Sequence, residues 1–201
     1  MRPQLPFAPA CERNKVPILA QLLNILPGTG ALLEIGSGTG QHAVYMAPRF
    51  PHMTWQPTDL EAELEGLRAR LEAEGCHQIQ SPVPLDVAVG PWPEQLFEAA
   101  FSANTAHIMG WPEVCAMFGG IGGCLIAGGV FCLYGPFNRG GGFTAPSNAA
   151  FDADLRARDP RMGLRDVEQL ARLAECHQMR LDEELAMPAN NFLLVFVREA
   201  P

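Results

Sequence analysis

Between residues 34 and 40 the chain reads Glu34-Ile35-Gly36-Ser37-Gly38-Thr39-Gly40. Alternating glycines allow a tight turn and let a ligand approach the backbone closely. A helix beginning after such a turn offers free N–H groups and a positive end to an anionic ligand group. The dinucleotide fingerprint GxGxxG requires glycine at position 41, where Gln41 stands, and no GxxxxGK[ST] phosphate loop is present. The ExGxGxG form favours S-adenosylmethionine, whose carboxylate faces the helix end. Asp59 lies 19 residues beyond Gly40, where a carboxylate can accept both hydroxyls of a ribose. Asp86, followed by Val87, is placed to accept a hydrogen bond from an adenine amino group. Taken singly, these acids are equally good turn residues. Together with the loop they define an expected cofactor set of Glu34, Gly36, Ser37, Gly38, Gly40, Asp59, Asp86, Val87 and Asn104.

Methyl transfer from a sulfonium is an in-line displacement, and much of its rate can come from alignment. An oxygen acceptor also needs a proton removed. Asn104 and His107 are the candidate catalytic pair. Asn104 is suited to binding the cofactor's ammonium group or orienting the acceptor, and His107 has the ordinary pKa of a base near neutrality. A structural histidine bonded to backbone is the competing reading of His107. His42, near a helix start, prefers to stay neutral and is a rival contact for the cofactor. Tyr134, Asn148, Arg165, Asn190 and Asn191 are the expected acceptor-pocket residues, with Asp152 nearby and Trp111 as a wall. Asparagines are also common turn formers, and Arg165 can instead pair with a neighbouring acid.

These residues need elements to place them. Helical spacing of Val16, Leu19, Leu22, Leu23 and Leu26 predicts a helix over 15–26, capped by Asn14 with Pro17 in its first turn. Residues 1–13 read as a loosely ordered arm. Strands are expected at 31–35, 53–57, 79–85, 97–102 and 130–134. The third is an edge strand because of Pro82 and Pro84. Helices are expected at 41–48, 61–74, 112–122 and 166–177, with a short one at 151–158. Segment 135–165 is polar and glycine-rich, and a loop of that length is usually functional. Strands 180–186 and 192–198 read as an antiparallel pair. The alternation predicts an α/β, doubly wound, mostly parallel sheet with its ligand at the C-terminal strand ends.

The whole is 201 residues, the size of a single domain. Its 14 basic and 22 acidic residues give a net charge of −8, which disfavours indiscriminate binding to nucleic acid or anionic lipid. The six cysteines form no CxxC pair and no zinc spacing, so no metal is expected. The longest apolar region, residues 121–134, is 14 residues with four glycines, too short to span a bilayer. No signal peptide is legible at the start. The expectation is a cytoplasmic protein with reduced thiols.

The chain resembles a class I methyltransferase. More narrowly, it is similar to the family of domain of unknown function 938, also called methyltransferase-like 26. The likeness rests on ERNKVPIL at 12–19, LEIGSGTGQHAVYMA at 33–47, WQPTD at 55–59 and NTAHIMGW at 104–111. It continues through YGPF at 134–137, SNAAFDADLRARDPRMGLRD at 147–166 and MPANN at 187–191. The resemblance implies a seven-stranded Rossmann-like sheet with an antiparallel last strand and S-adenosylmethionine as cofactor, leaving S-adenosylhomocysteine as product. It also suggests that Arg13 and Asn14 fold over the cofactor, and it does not define the acceptor. A small-molecule acceptor is the leading expectation. No Asn-Pro-Pro-Tyr run follows the fourth strand, where Asn104-Thr105-Ala106-His107 stands instead, a departure from a motif common in enzymes that methylate base amino groups. A protein methyltransferase, a non-catalytic cofactor-binding partner subunit and a nicotinamide-dependent oxidoreductase are the alternatives.

Overall fold

The computed structural model describes residues 5–200. Helix α1 (Pro9–Ile25) leads into β1 (Thr29–Ile35), α2 (Gln41–Met46), β2 (His52–Asp59), α3 (Leu64–Glu74) and β3 (Val83–Pro84). Then follow β4 (Phe97–Ala103), α4 (Trp111–Cys124), β5 (Leu125–Gly135), β6 (Phe137–Asn138), α5 (Pro146–Arg158) and β7 (Arg165–Asp166). Helix α6 (Val167–Cys176) and the hairpin β8 (Met179–Met187) and β9 (Asn191–Arg198) complete the fold. The main sheet has seven strands in the order β3-β2-β1-β4-β5-β9-β8. It is parallel from β3 to β5, while β9 runs antiparallel to both β5 and β8. The expected α/β sheet with an antiparallel last strand is the one observed. The chain turns back across the sheet between β1 and β4, and their C-terminal ends meet there.

Strand residues alternate between two cores because successive side chains point to opposite faces. Ala31, Leu33, Ile35, Phe131, Leu133, Leu194 and Phe196 pack with α4 and α6 on one face. Leu32, Phe101, Cys132, Leu193 and Val195 pack with α1 and α2 on the other. Burial on both faces makes these strands apolar runs.

Helix α1 begins at Pro9, six residues before the expected start, so residues 9–13 are helical and not an arm. Residues 1–4 of the expected arm lie outside the described residues. A proline in the first turn suits the start, since its missing N–H has no helical partner anyway. Pro17 therefore lies inside the helix. Asn14 is not a cap, because its buried side-chain Oδ1 accepts from His42 Nε2 at 2.8 Å. The third strand is shortened to Val83–Pro84, with Ile79 making one bridge to Trp55. Proline without an N–H limits pairing to the edge. Strand β5 starts five residues early. It pairs Phe97 with Leu125, then Ala99 with Val130, so Gly128 and Gly129 sit within a bulge rather than ahead of the strand. The polar segment carries the small parallel pair β6–β7 and a helix that begins at Pro146, not near 151.

Candidate functional site

The last two carbonyls of β1 are pinned from both neighbouring strands. Thr58 Oγ1 donates to Glu34 O at 2.7 Å, and Ser102 Oγ donates to Ile35 O at 2.8 Å. With its proton spent there, Ser102 Oγ accepts from Thr105 Oγ1 at 2.7 Å. The chain then leaves the sheet through Gly36, Gly38 and Gly40, all at positive φ. At Gly36 a Cβ would sit 2.6 Å from the Thr105 side chain, so only glycine lets the loop lie against the turn after β4. Ser37 N–H donates to Thr58 O at 2.9 Å, and Gly38 N–H donates to Asp59 Oδ2 at 2.6 Å. Arg70 of α3, buried, donates from Nε to Thr39 O and from Nη2 to Pro6 O. Gln41 accepts from Ala8 N–H and donates to Glu12, which ties the start of α1 to the loop.

A first cavity of about 540 Å³ opens at this loop. Gly36, Gly38, Asp59, Asp86, Val87 and Asn104 of the expected cofactor set line it. Leu60, Leu85, Ile108 and Met109 give it apolar walls, and Glu63, Glu113 and Arg161 border it. Four carboxylates against one guanidinium make a cavity suited to a cationic ligand. Arg161 itself is drawn to Asp159 at 2.8 Å and Glu113 at 3.4 Å. Asp59 Oδ1 accepts from Leu60 N–H at 2.8 Å, and Asp86 Oδ1 accepts from Ala88 N–H at 2.9 Å. Both acids are thereby aimed at the cavity mouth by their own turns.

Glu34 is placed elsewhere. Its carboxyl lies buried beneath the loop, where Oε2 accepts from Trp55 Nε1 at 2.8 Å, and it does not line this cavity. Burial pushes its pKa up to about 7, with the Asp59 charge adding to the rise and the Trp55 bond opposing it. Burial holds His42 down at about 4. His107 is also held down at about 4, by burial and then by the Arg165 charge. The signs oppose one another. Between about pH 4.5 and 6.5 the unfolded chain gains protons on two histidines that the folded chain leaves neutral. Folded Glu34 keeps a proton that the unfolded chain releases. The histidine contribution to stability is therefore lost as pH falls, and Glu34 partly offsets it. Glu34→Gln keeps an acceptor for Trp55 and removes the offset. The slope of unfolding free energy against pH should steepen by up to about 1.4 kcal/mol per unit, most of it near the middle of this window. Denaturant melts across pH check this, and parallel slopes for the two proteins would rule it out.

Asn104, the residue after β4, stands in the left-handed region at φ 61°, with its N–H donating to Tyr134 O at 2.9 Å. Asparagine tolerates this region better than most side chains. Asn104 lines the first cavity and also a second one of about 560 Å³. Tyr134, Asn148, Asn190 and Asn191 line the second cavity, as do Arg13, Asn14 and Pro17 of α1 and Phe151 of α5. Four of the five expected acceptor residues are thus brought together with Asn104. Arg13 and Asn14 line this second cavity and not the first.

Arg165 is not among them. Its guanidinium donates to the carbonyls of Ala106, Met109 and Arg161, holding the turn after β4 from behind. Arg165→Ala leaves these carbonyls without a donor, and about 2–4 kcal/mol of stability should be lost, read as a lowered melting midpoint. His107 is buried, lines neither cavity, and meets the Phe151 ring edge-on at 5.3 Å. His42 is fixed between Asn14 and Cys11. Asp152 pairs with Arg156 and accepts from Leu164 N–H. Trp111 lies in a separate groove beside Arg165. Among the described residues no cluster of three or more His, Cys, Asp or Glu is placed to hold a metal ion, and no helix is long and apolar enough to cross a membrane.

Sequence reasoning missed Glu63, Ile108, Met109, Glu113 and Arg161 in the first cavity and Phe151 in the second. Their types carry no spacing signal. Only the fold gathers them.

The family described as "Protein of unknown function (DUF938)" matches residues 5–198. Among solved structures, an O-methyltransferase family protein from Burkholderia thailandensis superposes with a TM-score of 0.80 at 15% identity, covering 95% of this chain and 58% of that one. Human N-acetylserotonin methyltransferase in complex with SAM gives 0.80 at 14% identity, covering 95% and 53%. An O-methyltransferase family 2 protein from Planctomyces limnophilus, in complex with apigenin, gives 0.78 at 14% identity, covering 95% and 60%. At such identities the likeness is one of fold. The chain spans a little over half the length of these structures.

Proposed function

The chain belongs to the DUF938 family, and we propose that it transfers the methyl group of S-adenosylmethionine to a small-molecule acceptor. The methyltransferase-like 26 likeness is part of the same reading, and so is a cytoplasmic setting, which the six free cysteines favour. The observation that carries the proposal is the position of Asn104, between a cavity built for a cation and a second, polar cavity. The residues of the first cavity fit the cofactor. Asp59 would accept from the ribose hydroxyls, Asp86 would accept from the adenine amine, and the Leu60, Leu85 and Met109 side chains would cover the ring.

Once bound, S-adenosylmethionine supplies a methyl group on a positively charged sulfur. Every other contribution comes from this chain. Four carboxylates attract the cationic cofactor and release the neutral sulfide product more readily. Asn104, fixed by its strained backbone and by Tyr134 O, orients the acceptor's nucleophilic atom from its side of the boundary. Tyr134 Oη, in the second cavity near the Arg13 charge, hydrogen-bonds the acceptor. His107 lies behind Phe151 and acts as a positioning residue.

The test is calorimetric titration with S-adenosylmethionine, S-adenosylhomocysteine and NAD. Micromolar binding of the sulfur ligands without NAD is expected. Binding of NAD alone would replace this reading with an oxidoreductase, and binding of none would reduce the glycine loop to a structural turn.

A further inference from the structure

The two cavities carry opposite charge patterns. Although acids outnumber bases 22 to 14 in the chain, no Asp or Glu lines the second cavity, and Arg13 is its one charged residue. Arg13 is exposed on α1, and among the described residues it makes no ion pair. A guanidinium that faces a polar cavity with no carboxylate of its own is positioned to take one from a ligand.

The asparagines add a second constraint. Asn148 Nδ2 donates to Thr144 Oγ1 at 2.9 Å and to the backbone carbonyl of Asn190 at 3.2 Å. Asn191 Nδ2 donates to the carbonyls of Pro188 at 3.0 Å and Ala189 at 3.3 Å. A backbone carbonyl can only accept, so these contacts fix the amide orientations. Both side-chain N–H groups are spent on the protein, and the side-chain carbonyl oxygen is what each asparagine has left to offer. Carbonyl acceptors at a cavity wall select hydroxyl donors. Phe151 and Pro188 supply flat apolar surface between them.

Resting on the methyltransferase reading above, we propose that the acceptor is a small hydroxy acid, one hydroxyl oxygen of which bonds the methyl carbon as the carbon–sulfur bond breaks, with the hydroxyl proton passing to solvent water in the open cavity. Arg13 takes its carboxylate, and the Oδ1 atoms of Asn148 and Asn191 take its hydroxyls. A phosphate ester fits less well, because a group of about −1.5 to −2 charge calls for more than one cation. The cavity volume of about 560 Å³ is in the range that encloses molecules of drug size or smaller. Arg13 is thus the residue that determines acceptor specificity.

The test uses the full chain saturated with S-adenosylhomocysteine. The probes are hydroxybenzoates and short aliphatic hydroxy acids, each paired with its primary carboxamide, together with matched phosphate esters and amines. Ligand-detected NMR reads binding. The acids should bind about ten- to a hundredfold more tightly than their carboxamides. Arg13→Gln should erase that preference without changing the affinity for S-adenosylhomocysteine, and Arg13→Lys should restore part of it. Equal binding of acids and carboxamides overturns the proposal. So does a preference for phosphate esters or amines, a preference that survives Arg13→Gln, or no acid binding at millimolar concentration. In each of those cases S-adenosylhomocysteine still binds and the cofactor reading stands. Failure of S-adenosylhomocysteine itself to bind overturns both.

Discussion

Asp59→Ala is expected to weaken S-adenosylhomocysteine binding by roughly a hundredfold. Hydrogen bonds to a charged group contribute about 1.5–3 kcal/mol each, and on the proposed reading the Asp59 carboxylate would accept from the ribose hydroxyls. The substitution has a second effect, because Oδ2 accepts from Gly38 N–H at 2.6 Å. Without it the glycine loop loses its tie to the end of β2 and the ligand must order it on binding. Asp59→Asn keeps the shape and one acceptor, so about a tenfold loss is expected. Calorimetry reads the affinities, and a thermal melt of the unliganded variants separates loop disorder from global unfolding. Wild-type affinity in the alanine variant would remove the ribose assignment.

Asn104 offers the other large effect. Replacing it with alanine should slow methyl transfer by about 10²- to 10³-fold, the loss typical when an oriented polar group at a reacting centre is deleted. Alanine at φ 61° also carries a backbone cost of about 1–2 kcal/mol. Asn104→Gly separates the two contributions, since glycine adopts that conformation freely. The glycine variant should melt near the wild-type temperature yet transfer slowly, while the alanine variant should be both slow and less stable. Single-turnover rates with bound cofactor make the comparison. A fully active glycine variant would mean that the carboxamide does no chemistry and that only the turn matters.

The fold was legible because its signals are local. The apolar run at β1, the glycines after it and the charged helix at α3 each announce themselves within a dozen residues. That Asp59 and Asp86 line one cavity was legible because a parallel sheet gathers at one edge the residues at the C-terminal ends of its strands. What was not legible depends on contacts across the chain. Asn14 looked like a helix cap, and only the buried partner His42 shows its side chain is used elsewhere. Arg165 looked like a ligand contact, and instead it serves carbonyls almost sixty residues away in sequence, Ala106 O among them. Glu34 belongs to the glycine motif by sequence, yet the Trp55 indole takes its carboxyl below the loop. His107 has the right chemistry for a base, and Phe151 stands beside its ring. In each case the residue type was informative and the direction of the side chain was not.

The hairpin that joins β8 to β9 turns through Ala189 and Asn190, both left-handed at φ 58° and 57°. It meets α1 across the second cavity, so that wall is closed by residues near 13 and near 190. Most of the first cavity comes from one continuous stretch, 35–113, joined by Arg161. The two cavities therefore differ in the loop-closure entropy needed to assemble them. During refolding the walls of the first cavity can form from contacts of shorter range, whereas the wall of the second must await the return of the far end of the chain. The same separation makes the two halves independently variable. On the proposed reading, substitutions in α1 and the hairpin would retune the acceptor while the residues assigned to the methyl donor stay as they are.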